Sequence, residues 1–428
     1  MIDIYVLNKN LEAIGIIDAY RSLIWSERYV EIGDCELYLP ADAYNIDLLK
    51  KDRYLYRDSD HMVCRIDYVE ITTDSEEGNY LIVKGSDTKK LCDQRIITKT
   101  MFCKGSVETF LRKMITDTII SPSDSARKMK KSNGNDLVSL ATATGLTEKM
   151  DCQITWQNVG EKIREICETY GFGYRFRLSN DLLKASIYKG TDRRNSVIFS
   201  DAYENLSSTD YIDDKTNMGN TAVVGGEGQG SKRTVVTLGT YSGTDRYEIF
   251  RDSDSISRSV TYQDLTGTYT GGTVVSSSGS YYYQVPSLDA PTYDSNHLAW
   301  LQTNYPGGSL VTVDGQEYWR ITNVNIASVE SASPDNNSTA TLLDIIYLSS
   351  LLSSGADARS EYGEEIIFEG KVIPDITFIY GTDYYLGDIV TVKNEYGIQN
   401  PARITEVIEV LDENGYSVEP TFKFTEVS

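Results

Sequence analysis

The sequence predicts a mainly β fold with a smaller α/β module and an inserted β-rich domain. Short runs in which apolar and polar residues alternate recur towards both ends of the chain. Amphipathic helical spacing is found within residues 106–200, and residues 257–340 are rich in Ser, Thr, Gly and Tyr. The 31 Tyr residues, against 10 Phe, favour half-exposed β faces. A chain of 428 residues is too long for one ordinary core, so several domains are expected.

The first 105 residues are predicted to form a β-barrel or sandwich. Their alternating runs, separated by polar breaks, are CELYLPA (residues 35–41), VCRIDYVEIT (63–72) and YLIVKGSD (80–87). Apolar residues at every second position are typical of strands with one buried face.

Residues 106–200 are predicted to form the α/β module, which begins with a helix capped by Ser106. The apolar residues at helical spacing after this cap are Val107, Phe110, Leu111, Met114 and Ile115. A second helix is predicted from Asn158, with Glu161 as its capping partner, to Gly171. Two short strands follow it, residues 174–178 and 183–188.

The polar stretch between these helices, residues 121–150, is expected to be an extended loop. It contains ARKMKK (residues 126–131), an isolated basic cluster in an acidic chain. Two interpretations stay open for this cluster: a disordered, solvated loop, or a docking site for an acidic partner.

Strand-like runs return within residues 221–256, and the Ser- and Tyr-rich stretch after them is interpreted as an inserted β-domain or a set of long hairpins. We expect its tyrosine run, residues 281–283, to fill a core with alternate side chains. Helical apolar patterning resumes at LLDIIYLSSLL (residues 342–352).

The C-terminal part is predicted to be a small antiparallel β-unit. YYLGDIVTVKNEYG (residues 384–397) contains a strand behind a Gly-Asp break, and residues 403–411 form another strand-like run. DENG (412–415) is predicted to be a hairpin turn of the Asn-Gly kind, which requires positive φ. The residues that then alternate on one face are Tyr416, Val418, Pro420, Phe422 and Phe424.

The net charge of −22 and the pI of about 4.6 are opposite to those of a domain that grips nucleic acid. Like charges repel, so an acidic wall would let DNA pass without adhering. The N-terminus lacks a basic start followed by an apolar core, and no run approaches the ~18 apolar residues of a membrane span. We therefore expect a protein that is made in the cytoplasm, or assembled there, without membrane insertion.

Candidate chemical motifs are weak throughout the chain. VVGGEGQGSKR (residues 223–233) lacks the G-K-[ST] of a phosphate loop and the last Gly of G-x-G-x-x-G, so a tight hairpin or bulge is predicted. His61 and His297 stand in no nucleophile or metal motif and are interpreted as surface or polar-core residues. RDSDSIS (251–257) and SPDNNS (333–338) lack a calcium-loop pattern and are expected to be exposed turns.

The six cysteines form no C-x-x-C pair and are expected to be reduced and mostly buried. No catalytic residue, cofactor-binding residue or metal ligand is assigned, and no cofactor is expected. Carboxylates are too numerous for inspection to exclude a glycosidase pair.

A family resemblance follows from the order and spacing of several segments. These are SLIWSERYVEIGDCELYLPA (residues 22–41), YLIVKGSD (80–87) with RII (95–97), VGGEGQGSKR (224–233), GTDRYEIFRDSDSI (243–256), YLGDIVTVKN (385–394) and ARITEVIEV (402–410). Together they resemble the tail hub proteins of siphophages, which are similar to the trimeric baseplate hub of contractile phage tails and injection machines. Residues 257–340 fall outside this pattern.

The resemblance implies a homotrimer in which each monomer contributes two tube-type β-barrel domains to a pseudo-sixfold ring. It assigns residues 1–105 to the first tube domain and residues 201–256 with 341–428 to the second. The strand in YYLGDIVTVKN (residues 384–394) would belong to the second barrel.

The implied role is that of a non-enzymatic virion protein. The ring would close the distal end of the tail tube, adapt sixfold to threefold symmetry and form part of the DNA conduit. Its implied partners are the tail tube and distal tail proteins, the tape measure protein, and a central fibre or spike.

Two other functions remain open. Proteins of this kind often carry a peptidase or glycosidase domain that opens the cell wall, so a tail-associated hydrolase is one alternative. A carbohydrate- or receptor-binding tail protein is the other, because the tyrosines and serines of residues 257–340 suit polar ligands.

Overall fold

The computed structural model describes residues 2–74, 78–313, 315–373, 377–393, 396–397 and 399–424. The strands in chain order are β1 (Ile4–Leu7), β2 (Ala13–Ile17), β3 (Ser22–Arg28), β4 (Asp34–Pro40), β5 (Tyr54–Arg57), β6 (Met62–Asp74), β7 (Gly78–Asp87), β8 (Met101–Ser106), β9 (Val138–Leu140), β10 (Lys149–Ile154), β11 (Gly173–Ser179), β12 (Leu182–Tyr188), β13 (Ile198–Ser200), β14 (Leu206–Asp214), β15 (Thr221–Gly225), β16 (Val235–Leu238), β17 (Glu248–Asp252), β18 (Ser259–Thr261), β19 (Thr273–Ser277), β20 (Ser280–Pro291), β21 (Ser309–Val313), β22 (Gln316–Val329), β23 (Thr339–Leu342), β24 (Glu365–Val372), β25 (Ile389–Lys393), β26 (Gln399–Asp412) and β27 (Gly415–Phe424). The α-helices are α1 (Ala43–Leu48), α2 (Val107–Ile115), α3 (Val159–Tyr170), α4 (Tyr262–Thr268), α5 (Ser295–Asn304) and α6 (Asp344–Glu361).

The fold is mainly β with a smaller α/β module, as the sequence predicts. Its largest element is a 13-stranded sheet with the order β14-β24-β27-β26-β3-β4-β7-β6-β5-β1-β2, to which β25 and β13 are attached beside β26. N-terminal and C-terminal strands meet where β26 pairs with β3, from Glu406 opposite Arg28 to Leu411 opposite Leu23. The two ends of the chain are thus joined by backbone hydrogen bonds.

The two helices of the α/β module are confirmed with their N-cap residues, and Glu161 contributes its backbone N–H to the Asn158 cap. The Ser106 hydroxyl accepts a hydrogen bond from the Thr109 N–H at the start of α2, and Asn158 caps α3 in the same way. Helix α3 ends at Gly171, whose φ of 65° is the left-handed conformation that glycine adopts at little cost. The apolar faces of both helices pack into one core with β11 and β12.

Two local predictions were wrong. Residues 121–150 are not only a loop, because β9 lies in this stretch and pairs in parallel with β12. The C-terminal hairpin is present, but positive φ falls on Gly415 alone (115°), and Asn414 is held by the Asp412 carboxylate, which accepts its N–H at 2.7 Å. The side chain of Asp412 therefore fixes a turn that we had expected the backbone of Asn414 to form.

Residues 259–342 form a six-stranded sheet of their own, of β18 to β23, with a separate core. Tyr283 lies in this core with 2% of its surface exposed, and its hydroxyl donates to the Tyr269 carbonyl at 2.6 Å. The neighbouring Tyr281 and Tyr282 are half-buried.

Residues 221–252 form a three-stranded sheet, β16-β15-β17, that packs on α6. Strand β15 pairs with β16 along one edge and with β17 along the other. None of its described residues therefore pairs with the C-terminal strands. Strand β14 is the part of residues 201–256 that joins the large sheet, where it pairs with β24.

Candidate assembly site

Tyr29, directly after β3, is the point at which three parts of the chain meet. Its side chain is 1% exposed, and its hydroxyl donates to the carbonyl of Gly171 (3.0 Å) and accepts from the N–H of Gly190 (3.3 Å). The guanidinium of Arg403 lies 5.3 Å from the centre of its ring. Burial raises the pKa of Tyr29 to about 12, so the phenol stays neutral at physiological pH. We call this contact the Tyr29 junction.

Two glycines make room for the Tyr29 ring. A Cβ atom on Gly173 would lie 2.3 Å from the ring, and one on Gly387 would lie 2.2 Å from it. Gly387 also has a φ of 92°, which an L side chain rarely adopts. This explains the Gly-Asp break before β25: the chain must pass close to a buried aromatic ring.

Asp388 completes the junction with its carboxylate. The side chain is buried and accepts hydrogen bonds from the N–H of Thr191 (2.7 Å), the Nε of Arg193 (2.7 Å) and the N–H of Tyr385 (3.0 Å). The Gly-Asp pair therefore fastens the end of the α/β module to the C-terminal β-unit.

A second junction joins α3 to α6 and β17 through buried charges. Lys162 Nζ lies 3.2 Å from Asp357 Oδ2 and 2.7 Å from Glu165 Oε1, and Arg251 links Glu165 (2.7 Å) to Glu361 (3.1 Å). Burial alone lowers the pKa of Lys162, but the carboxylates of Asp357 and Glu165 raise it overall. The ammonium is therefore charged at neutral pH. We call this set the Lys162 network.

A third group of charges lines a cavity of about 520 Å³ beside the Tyr29 junction. Arg57, which is 3% exposed, pairs with Glu409 (2.7 Å) and Asp60 (2.5 Å), and Arg177 pairs with Glu27. Burial alone raises the pKa of Asp60, but Arg57 lowers it overall. Since these acids and arginines neutralise one another, the cavity favours neither an anion nor a cation.

The main strand order of the large sheet ends in β2 and β14, and β13 is the last strand of its side branch. Strand β2 exposes Ile14 (42%) and Ile16 (36%), and Tyr44 of α1 lies beside them with 55% of its surface exposed and its hydroxyl 3.4 Å from the Ile16 carbonyl. We call Ile14, Ile16 and Tyr44 the apolar edge patch. An apolar strand at a sheet edge is prone to pair with another chain, and native proteins normally cover it.

Among the candidate motifs of the sequence, RDSDSIS contributes Arg251 to the Lys162 network. The prediction that this stretch is an exposed turn was wrong, because Ser253 and Ile256 are buried.

His61 is exposed beside Tyr56, at 2.8 Å, whereas His297 is buried at the start of α5. All six cysteines are free and buried, as predicted. The glycine-rich stretch connects β15 to β16 as a hairpin, as predicted, but through a longer loop of residues 226–234 and not through a tight turn. In this loop Arg233 donates to the carbonyls of Gly225 and Gly226.

The acidic turns and the basic cluster are both ordered. Asp335 accepts from Asn337 and Ser338, which is turn chemistry as predicted. Within ARKMKK, the solvated-loop interpretation is wrong, because Met129 is buried, Arg127 donates to Thr98 Oγ1 (2.8 Å) and Lys128 pairs with Asp136 (2.7 Å). Across the described ranges, no cluster of His, Cys, Asp or Glu suits a metal ion, and no helix is long and apolar enough to cross a membrane.

Sequence inspection missed the residues that hold the junctions. The Gly-Asp break pointed to Gly387 and Asp388 but not to their partner Tyr29. Lys162 carried a usable signal, because it lies between Val159, Ile163 and Ile166 on the buried face of α3. A lysine at such a position requires a buried carboxylate.

Comparison with known proteins identifies the family. Residues 3–422 match the family described as Siphovirus ReqiPepy6 Gp37-like protein. The chain belongs to this family. The resemblance to siphophage proteins drawn from the order of segments is thereby confirmed. No curated protein matches this family member in sequence.

Three of the solved chains to which this protein is similar are tail proteins by name. The 43 kDa tail protein of prophage MuSo2 from Shewanella oneidensis shares 11% identity at a TM-score of 0.49, covering 98% of each chain. A tail protein from Neisseria meningitidis MC58 shares 10% at 0.48, covering 98% of this chain and 95% of its own. Prophage tail protein gp18 from Listeria monocytogenes shares 11% at 0.44, covering 100% and 95%. The family match, and not these similarities, decides the assignment.

Proposed function

We propose that the protein is a structural tail hub subunit. Three copies form a ring at the distal end of the tail tube, adapt its sixfold symmetry to threefold, and enclose part of the DNA path. The observation that carries the proposal is the large sheet, which joins both ends of the chain and ends in β2 and β14. An open sheet with an apolar edge is suited to head-to-tail contacts, and such contacts form a ring when the rotation closes.

Within this ring we propose residues 1–105 as one tube domain and residues 201–256 with 341–428 as the other. The α/β module (106–200) and the insertion (257–340) then lie outside the tube wall. The proposed neighbours are the tube and distal tail proteins, the tape measure protein and a central fibre or spike. The net charge of −22 supports a channel through which DNA slides, provided that carboxylates line it.

The apolar edge patch provides the test of assembly. Replacing Ile14 and Ile16 with glutamate places two charges on the proposed contact, so we expect the threefold ring to be lost from assembled tails. Val235→Glu with Leu310→Glu is the matched control, because these apolar residues are somewhat more exposed (54% and 45%) but lie in other sheets. Native mass spectrometry and particle images of tails would show the outcome. A ring that survives the first pair, or a wild-type tail with a monomer or dimer at this place, contradicts the proposal.

The role needs no catalytic group, which separates it from the cell-wall hydrolase alternative. Purified protein incubated with host cell walls should release neither sugar nor peptide. Release that disappears on replacement of a single carboxylate would favour the hydrolase instead.

A further inference from the structure

The two-stranded sheet of β8 and β10 brings two cysteines face to face. Cys103 and Cys152 are direct partners in its antiparallel register, and both are free thiols. Directly opposite residues have Cα atoms about 4.5–5.5 Å apart and turn their side chains to the same face of the sheet. A disulfide requires a Cα separation of about 4.4–6.8 Å. The backbone is therefore already placed for a bond between the two sulfur atoms. We call these residues the β8–β10 thiol pair.

The two sulfur atoms are themselves neighbours. Burial raises the pKa of Cys152, and the adjacent Cys103 thiol raises it further. The Cys103 thiol donates to the Gly105 carbonyl, with 3.8 Å between sulfur and oxygen. Because only the thiolate is a nucleophile, Cys152 reacts more slowly than an exposed cysteine would. The pair is therefore stable as two thiols until an oxidant is supplied.

Small molecules can reach the β8–β10 thiol pair. Cys103 and Cys152 are 5% and 6% exposed, and Cys103 lines a surface cavity of about 630 Å³ between α2 and α4. A cavity of this size admits a small organic molecule. Cys103 is therefore the residue that an oxidant meets first.

A second pair of neighbouring thiols provides a comparison within the same chain. Cys35 of β4 and Cys64 of β6 lie beside each other in a core, 1% and 0% exposed. Strand β7 lies between β4 and β6 in the large sheet. The two backbones are thus two strand spacings apart, roughly 9.6 Å, which is more than a disulfide spans. Both pairs bring thiols together, but the backbone geometry of a disulfide belongs to the β8–β10 thiol pair.

We propose that Cys103 and Cys152 form a reversible disulfide that locks β8 to β10 under oxidising conditions. The oxidant is a small disulfide of the glutathione kind. The Cys103 thiolate attacks one of its sulfur atoms, and one small thiolate leaves. The Cys152 thiolate then attacks the Cys103 sulfur of this mixed disulfide, and the second small thiolate leaves. The two thiol protons end on the two small thiolates, so the pair loses two electrons and the small disulfide gains them.

The bond would strengthen the contact between the insertion and the α/β module. Helix α4 packs on β8, α6 packs on β10, and Phe102 beside Cys103 contacts the core of the insertion. A two-stranded sheet is marginal by itself, and a cross-link restricts the unfolded chain. A particle released from a reducing cell into an oxidising medium would meet a suitable oxidant. That setting rests on the proposed virion role, whereas the bond itself does not.

Peptide mapping of the full-length wild type tests the bond directly. The folded protein is incubated with oxidised glutathione, its remaining thiols are alkylated in denaturant, and it is digested with trypsin. We expect residues 100–104 and 150–162, which contain one cysteine each, to appear as one joined peptide that lacks two hydrogen atoms. Dithiothreitol should separate the two halves. Unreacted thiols, a mixed disulfide at Cys103 that goes no further, a bond to another cysteine, or a bond between two chains overturns the proposal.

Variants separate this pair from the comparison pair. Cys103→Ala and Cys152→Ala should each abolish the joined peptide, whereas Cys35→Ala and Cys64→Ala should leave it unchanged. Oxidation of the wild type should slow hydrogen exchange in residues 101–106 and 149–154 by at least about tenfold, and oxidation of Cys152→Ala should not. Unchanged exchange in the oxidised wild type would overturn the locking role. The wild-type mapping decides on the bond even where a variant fails to fold. Tails that lack the threefold ring but contain the disulfide would contradict the proposed function alone.

Discussion

The Tyr29 junction and the Lys162 network both connect the α/β module to distant parts of the chain, but by different chemistry. At the first, a neutral ring packs closely against two glycines, and one carboxylate fastens the neighbouring turn. At the second, the ammonium of Lys162 is buried, with 5% of the residue exposed. The carboxylates of Asp357 and Glu165 compensate its charge. The first contact depends on shape and the second on charge balance. Substitutions at the two contacts should therefore lower the free energy of unfolding for different reasons.

The largest effect is expected from Lys162→Met. This change leaves the Asp357 carboxylate buried without its cation, and breaking a buried pair from one side costs about 3–5 kcal/mol. Urea unfolding of the variant measures the loss of free energy of unfolding. The double variant Lys162→Met with Asp357→Leu should recover most of it, because no buried charge then remains unpaired. A double variant no more stable than the single one would show that the pair matters for more than charge balance.

At the Tyr29 junction, Gly387→Ala should cost about 2–4 kcal/mol, from backbone strain and from overlap with the ring. Gly381→Ala is the matched control, since Gly381 also has positive φ (81°) but faces open space. It should show the strain alone, about 1–3 kcal/mol. Urea unfolding of both variants separates the two contributions. Equal losses would mean that the ring moves aside, and that the junction is not held by shape.

A smaller, pH-dependent effect is expected at Glu108, a buried carboxylate of α2 that accepts four hydrogen bonds. It accepts from the N–H groups of Thr144 (2.7 Å), Gly145 (2.8 Å) and Leu146 (2.9 Å), and from the Thr144 hydroxyl (3.1 Å). Burial alone raises the pKa of Glu108, but these donors lower it overall. Its contribution to stability is therefore present above the usual glutamate pKa and lost as the pH falls through the lowered one.

Glu108→Gln should cost about 1–3 kcal/mol at pH 7, since the amide turns a donor towards these N–H groups. Thermal unfolding of both proteins between pH 7 and pH 3 should show the difference shrinking below about pH 4. Glu330→Gln, an exposed residue, should show no difference at either end of the range. A gap between wild type and Glu108→Gln that stays constant to pH 3 would contradict the assignment of the stability to the carboxylate.

The parts of the fold that the sequence predicted are those whose structure is determined by residues close together in the chain. Helices α2 and α3 carry their caps and apolar spacing within a few residues, and β4, β7, β11 and β12 show period-two alternation. Strand β9 was missed because its three residues are too short for any periodicity to be visible. The turn at residues 412–415 was misread because Asp412, a side chain outside the Asn-Gly pair, decides it.

The contacts between distant segments could not be predicted in this way. The β3–β26 ladder pairs Arg28 with Glu406, and nothing in either strand marks the other as its partner. Gly387 was visible as a break, but its reason is a ring far away in the sequence. Packing of this kind depends on three-dimensional shape, which a single sequence does not display.

The insertion begins and ends at one place. Its first strand, β18, pairs with its last, β23, the Leu342 N–H donates to the Arg258 carbonyl at 2.8 Å, and Arg258 pairs with Asp344 at 2.6 Å. Along the chain, the residues between these strands are one long insertion in a loop whose ends are already tied, and its core contacts the rest of the molecule through Phe102, Ile345 and Ile346. Doubling the length of such a loop costs only about 0.6 kcal/mol of closure entropy. Viral lineages could therefore exchange this segment for larger or smaller ones, and a reporter domain or affinity tag could be grafted there, while the tied stem and α6 stay in place.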